Sequence, residues 1–549
     1  MHRLFKVCYK NVTPYRELTV SAPELNSLSE LPPLPKALTQ RSFVGWLSLF
    51  GPGAVVASVT IGTGELIFST RGGVLFGYNI LFLFVFISLL KWVLVFGTSK
   101  HLLLTGVHPF RRMLDLPGPR GWMALMFLMI ILVAQPVWVS FHSSVLGNYL
   151  ALLTGTTESL NGAAQFLWAI VMVGVVLCLS LFGGYNVMEK VQIGVVAGLM
   201  IAAVASMVMY HPDYLEMLKG FVSPYFRDYP QWVLDDPKLT KLANTNKWAE
   251  LTTYVGVIGG AGFDYMAYTT WLRDKRWGYA GSHPPSPELI EEIANDPEHE
   301  ARKWLKAPVV DCAISFGLII VFSAVFVASG VEILGENQAI PNGDDMLGQQ
   351  AEILTKVHPW LYPLYVAGAV LTMFGTLYGT IEIGMAIVME IVRSFNPDWA
   401  NHRRSKIQTG ILIWQAALAV LVIMLMFRVV YVAGIEEGAS AKGIILDVLR
   451  PVNLFTGVIS CSVFCFVNAW IERKHVHQKL RSHHLIRLAY LFSGIVFAVI
   501  GAMGAWTTHQ SGKGFLVTRW FAIGGLVAVV ACSMLMANTF RRWMESKQV

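Results

Sequence analysis

Charge is scarce in this sequence. Only 14% of its 549 residues are Asp, Glu, Lys or Arg, while 54% are hydrophobic and the mean hydropathy is +0.53. A soluble domain of this length needs far more polar surface to cover its core, so composition excludes a water-soluble enzyme or binding module. No GxxxxGK[ST] loop is present to cradle nucleotide phosphates, which argues against an ATP-driven pump on this chain. The six cysteines (Cys8, Cys178, Cys312, Cys461, Cys465, Cys532) form no CxxC pair; Cys461 and Cys465 share a helix face and read as small apolar packing residues. Residues 1–20 carry Arg3, Lys6, Lys10 and Arg16 without an apolar stretch, so no cleavable signal peptide is expected. Strict apolar–polar alternation is missing too, which excludes the strands of an outer-membrane barrel.

What the sequence does have is continuous apolar runs, each able to supply the roughly 20 residues that a membrane-crossing helix needs. Twelve are counted, at 43–74, 78–104, 121–152, 164–184, 187–211, 250–273, 307–333, 360–393, 407–427, 443–470, 485–507 and 516–537. The expected fold class is an all-α polytopic membrane protein with about twelve transmembrane helices, called spans one to twelve below. The net charge of +7 follows their alternation: with the N-terminus inside, 29 of the 42 Lys and Arg residues fall on the cytoplasmic flanks. That is a topology signal rather than a nucleic-acid footprint, and it predicts an integral protein of the bacterial inner (cell) membrane with both termini cytoplasmic. Membrane lipid and the transported species are the expected partners, with no nucleic acid and no tightly bound cofactor.

Two spans are interrupted. Span one reads Gly51-Pro52-Gly53, then Gly62-Thr63-Gly64-Glu65; span six reads Gly259-Gly260-Ala261-Gly262-Phe263-Asp264-Tyr265-Met266. Glycine costs about 1 kcal/mol in a helix interior relative to alanine, so such clusters mark places where a helix unwinds. Unwound backbone at membrane depth is tolerated where it lines a cavity or is buried in protein. Each break also carries one carboxylate, Glu65 or Asp264, a residue type that membrane interiors keep for function. The breaks lie five spans apart, the spacing of two five-helix repeats with inverted topology that bind at the midplane. Small residues also serve close helix packing, and that reading is preferred for Gly72 and Gly73.

At these breaks the sequence resembles the natural resistance-associated macrophage protein (NRAMP) family of divalent-metal transporters. The similarity runs from Gly51-Pro52 through Gly77-Tyr78 to Thr105-Gly106, resumes at Gly260-Ala261, and places Asp311 where the family has an aspartate at the start of span seven. The resemblance implies a LeuT-like fold: repeats at 43–211 and 250–470, a tail at 1–42, an outer loop at 212–249 and two C-terminal helices within 471–549. It also implies a central site between split spans one and six, with a divalent cation as substrate. The family's motifs are altered, however. Its Asp-Pro-Gly-Asn falls on Gly62-Thr63-Gly64-Glu65 and its Met-Pro-His on Asp264-Tyr265-Met266, so the metal-binding Asp is Gly62 and the metal-binding Met is Asp264. Ala261 stands where the family offers a carbonyl ligand, Met266 replaces the histidine linked to proton movement, and Val139 and His142 lie near the missing acidic motif of span three.

Carboxylates and carbonyls suit Mg, Ca and Mn, whereas thioethers favour softer metals. The expected site is therefore oxygen-rich: Glu65 and Asp264 as facing carboxylates, backbone oxygens at Gly62 and Ala261, and Met266 beside them. Two facing carboxylates repel unless a cation or proton lies between them. Other intramembrane polar residues are weighed as coupling groups. A Lys91–Glu382 ion pair is set against a Lys91 that snorkels or faces a wet crevice. A sodium role for Thr376 and Thr380 is set against threonines that bond their own backbone. The histidines at 475, 477, 483 and 484 read as part of a solvated basic loop.

The leading functional expectation is a secondary transporter of a divalent cation, of a harder ion than classical NRAMP substrates. The alternatives are a proton- or sodium-coupled transporter of a small organic solute such as an amino acid, and a non-transporting NRAMP-like sensor, against which the short stretch after span twelve argues. The topology is testable by cysteine labelling. A cysteine at position 240 should react with an impermeant reagent in intact cells, and cysteines in 274–306 or 471–484 only after permeabilisation; reaction at 240 solely after permeabilisation overturns the assignment.

Overall fold

Backbone amides that leave water must bond one another, and a continuous apolar run satisfies them most simply as a helix. The computed structural model of the chain describes residues 31–39, 43–62, 64–157, 159–340, 355, 359–432, 449, 451–507 and 519–547, and among these every regular element is helical. Nine of the described helices are long and apolar enough to cross a membrane. The tail through residue 30, Thr63 at the first break, and the start of the tenth and twelfth runs (443–448 and 516–518) lie outside the described residues.

Span one is broken as its glycines predict. Its first half is Pro52–Ile61; its second half opens with a π-helical turn, Glu65–Ser69, and continues as Thr70–Phe76. Gly77, at φ +65°, then turns the chain into span two, Ile80–Thr105. Span six divides into Lys247–Val257 and Gly262–Asp274. Span three is Trp122–Leu153, span seven Lys306–Ser329, span eight Tyr362–Phe395 and span nine Arg404–Val432. Span ten follows a π-helical turn, Leu454–Ile459, as Ser460–Lys474, and spans eleven and twelve are His484–Thr507 and Arg519–Glu545. One boundary differs from the sequence reading. Runs four and five lie on one helical stretch, Ala164–Tyr210, because only two proline-free residues separate them and the helical hydrogen bonding continues through.

The loop at 212–249 folds onto the ends of spans one, two, six and seven. Phe226, Tyr229 and Trp232 pack against a cluster containing Phe76, Tyr78 and Tyr254. Arg227 donates to the carbonyls of Val74 (3.3 Å) and Leu75 (3.4 Å), capping the end of span one. The short helix expected near Ser286-Pro287 is present as Pro287–Asn295, with the Ser286 hydroxyl accepting from Leu289 N–H at 3.3 Å. Cys461 and Cys465 are buried and unpaired, as apolar packing residues.

Spans one and seven approach at backbone distance. A Cβ on Gly73 would run into the Val327 carbonyl, and one on Gly330 into the Thr70 carbonyl. At Gly72 the nearest atom would be a side-chain carbon of Ile80 at 3.2 Å, which can yield more easily. Gly73→Leu should therefore cost about 1–3 kcal/mol through overpacking, seen as a lower melting temperature of the detergent-solubilised protein, and Gly72→Ala much less. Equal melting of the Gly73 variant and the parent would refute this packing account.

Candidate functional site

The first break is shaped by span eight. Any side chain at Gly62 would collide with the Thr376 hydroxyl, so the helix passes Thr376 only because residue 62 is glycine. The Gly62 carbonyl still accepts from Leu66 N–H at 3.1 Å, bridging the interruption. Glu65 sits in the first turn of the second half, where a carboxylate complements the amide end of a helix. It is fully buried, and it accepts hydrogen bonds from the hydroxyls of Ser69 and, at 2.7 Å, Ser323 of span seven.

The second break exposes more backbone. Gly259 and Gly260 take φ values of +78° and +92°, open in practice only to glycine. Lys91 of span two reaches this turn, and its ammonium donates to the carbonyls of Val255 (2.8 Å), Ile258 (2.6 Å) and Gly260 (2.5 Å). The Gly259 carbonyl accepts from the Tyr265 hydroxyl, and that of Val257 from Gly260 N–H at 3.1 Å. On the far side, Asp264 caps the second half of the span by accepting from Ala261 N–H at 2.6 Å, while the Ala261 carbonyl accepts from Asp264 N–H at 3.0 Å. A cation thus meets a helix C-terminus and an anion a helix N-terminus, each matched to the local dipole.

Between the breaks lies a cavity of about 50 Å³. Ala261 and Asp264 face it from span six, His142 from span three and Thr380 from span eight, so these four predicted residues come together. Aromatic rings supply much of the rest: Phe68, Trp138, Phe141 and Phe263, with His142 stacked on Trp138 at 5.6 Å.

Gly62, Glu65, Met266, Lys91, Thr376 and Glu382 do not line this cavity. Glu65 is turned toward span seven, so the expected pair of facing carboxylates is not formed there. Met266 is buried in the core behind the cavity. Lys91 is neither snorkelling nor paired with Glu382, because three freed carbonyls engage it; Glu382 lies beside Ser180. Both threonines bond their own backbone, Thr376 at the Thr372 carbonyl (3.2 Å) and Thr380 at the Thr376 carbonyl (2.7 Å), and the Thr376 hydroxyl also lies 3.3 Å from the Ser58 carbonyl of span one. Among the described residues no group of three or more His, Cys, Asp or Glu side chains is placed to hold a metal. Sequence reasoning missed Gln135, which lines the cavity and donates to the Thr380 carbonyl at 2.5 Å, and Trp138, whose indole donates to Thr456 at 3.0 Å. A glutamine within an apolar span, three residues before a tryptophan on the same face, was the available signal.

Both halves of each broken span are tied down. A buried ion pair, Arg71–Glu250, joins the second half of span one to the first half of span six, and the Tyr254 hydroxyl adds a bond to Glu250 at 2.9 Å. At the other end, Asp311 accepts from the N–H groups of Gly51 (3.1 Å) and Gly53 (2.8 Å), docking the first half of span one on span seven. One guanidinium nitrogen of Arg273 of span six donates to both carboxylate oxygens of Glu390 of span eight, at 2.6 and 2.5 Å, and Arg393 donates to one of them at 2.8 Å.

The family model described as natural resistance-associated macrophage protein-like matches residues 53–433. Divalent metal cation transporters MntH of Listeria welshimeri and Listeria monocytogenes are each 25% identical over 208 residues, 37% of this chain and 43% of theirs. The match thus spans less than half the length of those relatives. Among solved structures, a single-residue mutant of the Eremococcus coleocola manganese transporter superposes with a TM-score of 0.65 at 14% identity, covering 95% of this chain and 99% of that one. The same transporter in complex with an aromatic bis-isothiourea substituted compound gives 0.62 at 15%, with the same coverage. At such identities the likeness concerns the fold, which is LeuT-like.

Losing one partner of a buried ion pair costs about 3–5 kcal/mol. Glu390→Gln should therefore loosen the second half of span six and speed alkylation of a cysteine introduced by Thr270→Cys in an otherwise cysteine-free background. An unchanged alkylation rate would show that the Arg273–Glu390 contact does not hold this end closed.

Proposed function

Because the chain belongs to the natural resistance-associated macrophage protein-like family, we propose that it carries a divalent metal cation across a membrane by alternating access. The observation that carries the proposal is Asp264, a carboxylate that faces a cavity between two broken helices beside the Ala261 carbonyl. Asp264 and the Ala261 carbonyl are the direct ligands in this reading. Glu65, held by two hydroxyls, supplies negative charge from behind the cavity wall, and the Gly62 backbone lies within the same break. Met266 stays buried, so oxygen replaces thioether sulfur as the donor and the preferred cargo is a hard ion: Mg²⁺, Ca²⁺ or Mn²⁺. Transport proceeds as spans one and six rock against the rest of the bundle, in a bacterial inner membrane with both termini cytoplasmic.

A second reading rests on the cavity's walls. Four aromatic rings and one carboxylate form a surface that suits an organic ammonium, through cation–π attraction and a single counter-charge. Uptake assays in liposomes with Mg²⁺, Ca²⁺, Mn²⁺ and amino acids separate the two.

For the metal reading, calorimetry should detect divalent-ion binding that weakens on acidification, as protons compete for the carboxylates. Asp264→Met should shift preference toward Mn²⁺ or Cd²⁺. Glu65→Gln should weaken all divalent ions together, by about ten- to hundredfold, the loss expected when a charge-assisted interaction is removed. If the parent protein binds no divalent ion at millimolar concentration while both variants abolish uptake of an organic solute, the metal reading falls and the second stands.

A further inference from the structure

Lys91 is fully buried in span two, and its ammonium has as many donors as it has acceptors: three N–H groups for the carbonyls of Val255, Ile258 and Gly260. Those oxygens converge on one point because the helix ends at Val257 and the chain then turns through two glycines at positive φ. A Cβ at Gly259 would only touch the lysine stem, at 3.5 Å from its Cδ, so the positive φ rather than space is what calls for glycine there. Unwound carbonyls at the C-terminal end of a half-helix are the arrangement by which broken transporter helices coordinate alkali cations. Here the centre of that arrangement is a side-chain nitrogen.

We propose that Lys91 is a resident monovalent cation: its ammonium permanently fills a three-carbonyl cage at the break of span six that would otherwise take an alkali-metal ion. Potassium and a primary ammonium make oxygen contacts of similar length, so K⁺ is the natural surrogate. The tethered charge has two consequences. The break in span six needs no bound ion to stay ordered. The fixed cation also stands directly behind the cavity wall, because Gly260, whose carbonyl it bonds, lines the cavity. The proposal concerns the cage and not the cargo, and it holds whether a metal or an organic ammonium is carried.

The test removes the ammonium and asks whether an alkali ion replaces it. Parent, Lys91→Met and Lys91→Gln proteins, full length in detergent, are melted in KCl, NaCl or choline chloride at equal ionic strength. The parent should melt at the same temperature in all three. Lys91→Met should melt lower in choline and recover most of the loss in KCl, saturably, with NaCl as the second choice. Lys91→Gln keeps two N–H donors and should show the same effect, only smaller. Folded variants that melt alike in all three salts overturn the proposal. If Lys91→Met yields no folded protein in any salt, Lys91→Gln decides: an alkali-specific rise supports the cage, and its absence overturns it. Transport is not the readout, so a wrong cargo assignment leaves this result untouched.

Discussion

Four helix ends lie inside this bundle, away from bulk water, and the protein itself must satisfy them. That constraint accounts for nearly every charged side chain at the centre. The carbonyl end of the first half of span six is met by the Lys91 ammonium, and the amide end of its second half by Asp264. In span one, Gly62 keeps a helical bond across the gap to Leu66, while Glu65 sits in the first turn beyond. An ionised group in hydrocarbon is costly by itself. At the break of span six, Lys91 and Asp264 each replace the water that a broken helix would otherwise need, so the charge and the break are tolerated together.

The tethers at the two ends of the bundle then decide what can move. Arg71–Glu250 couples the second half of span one to the first half of span six, so a movement that separates these two pieces must break a buried ion pair. The remaining pieces are fastened to different neighbours: the first half of span one to span seven through Asp311, the second half of span six to span eight through Glu390. In the proposed cycle, opening at one end breaks one set of contacts and leaves the other intact. The glycine turns at 259 and 260 provide the hinge that such independence requires.

The fold was largely legible because its signals are local. Apolar runs need only be long enough, and the glycine clusters at 62–64 and 259–262 marked both interruptions at the right residues. The join between runs four and five was not legible: hydropathy dips over two residues that contain no proline to interrupt the helical bonds. At the site, Ala261 and His142 were pointed to by the family resemblance, Thr380 by the LeuT-like fold and Asp264 by its break, and all four line the cavity; a break or a lone polar residue by itself fixes depth in the membrane. Depth does not fix direction. Where a span is apolar on every side, periodicity cannot say which face meets the cavity. Glu65 was therefore expected to face Asp264 when it faces Ser323, and Lys91 was matched with a carboxylate when its partners are carbonyls, which a sequence does not display.

Cavity chemistry follows from a small closed ring. Ala261 N–H bonds the Asp264 carboxylate, and Asp264 N–H bonds the Ala261 carbonyl, so the two oxygen donors fix each other before any cargo arrives. Each bond occupies one lone pair, and a carboxylate has about four acceptor sites and a carbonyl two, so both retain capacity toward the cavity. A pair held this way loses little freedom on binding a cation, which favours affinity. It also cannot approach a small ion from opposite sides, because both donors lie within one helical turn. The remaining ligands must come from across the cavity, where His142, Thr380 and aromatic rings stand. Since Thr380 spends its hydroxyl proton on its own helix, its oxygen is left to accept or coordinate. In the proposed reading, a partly hydrated hard cation meets these terms, with its retained waters bonding the carboxylate and the threonine oxygen. Among the described residues that line the cavity none carries sulfur, so thioether or thiolate donors are not part of that reading, and His142 is the softest donor present.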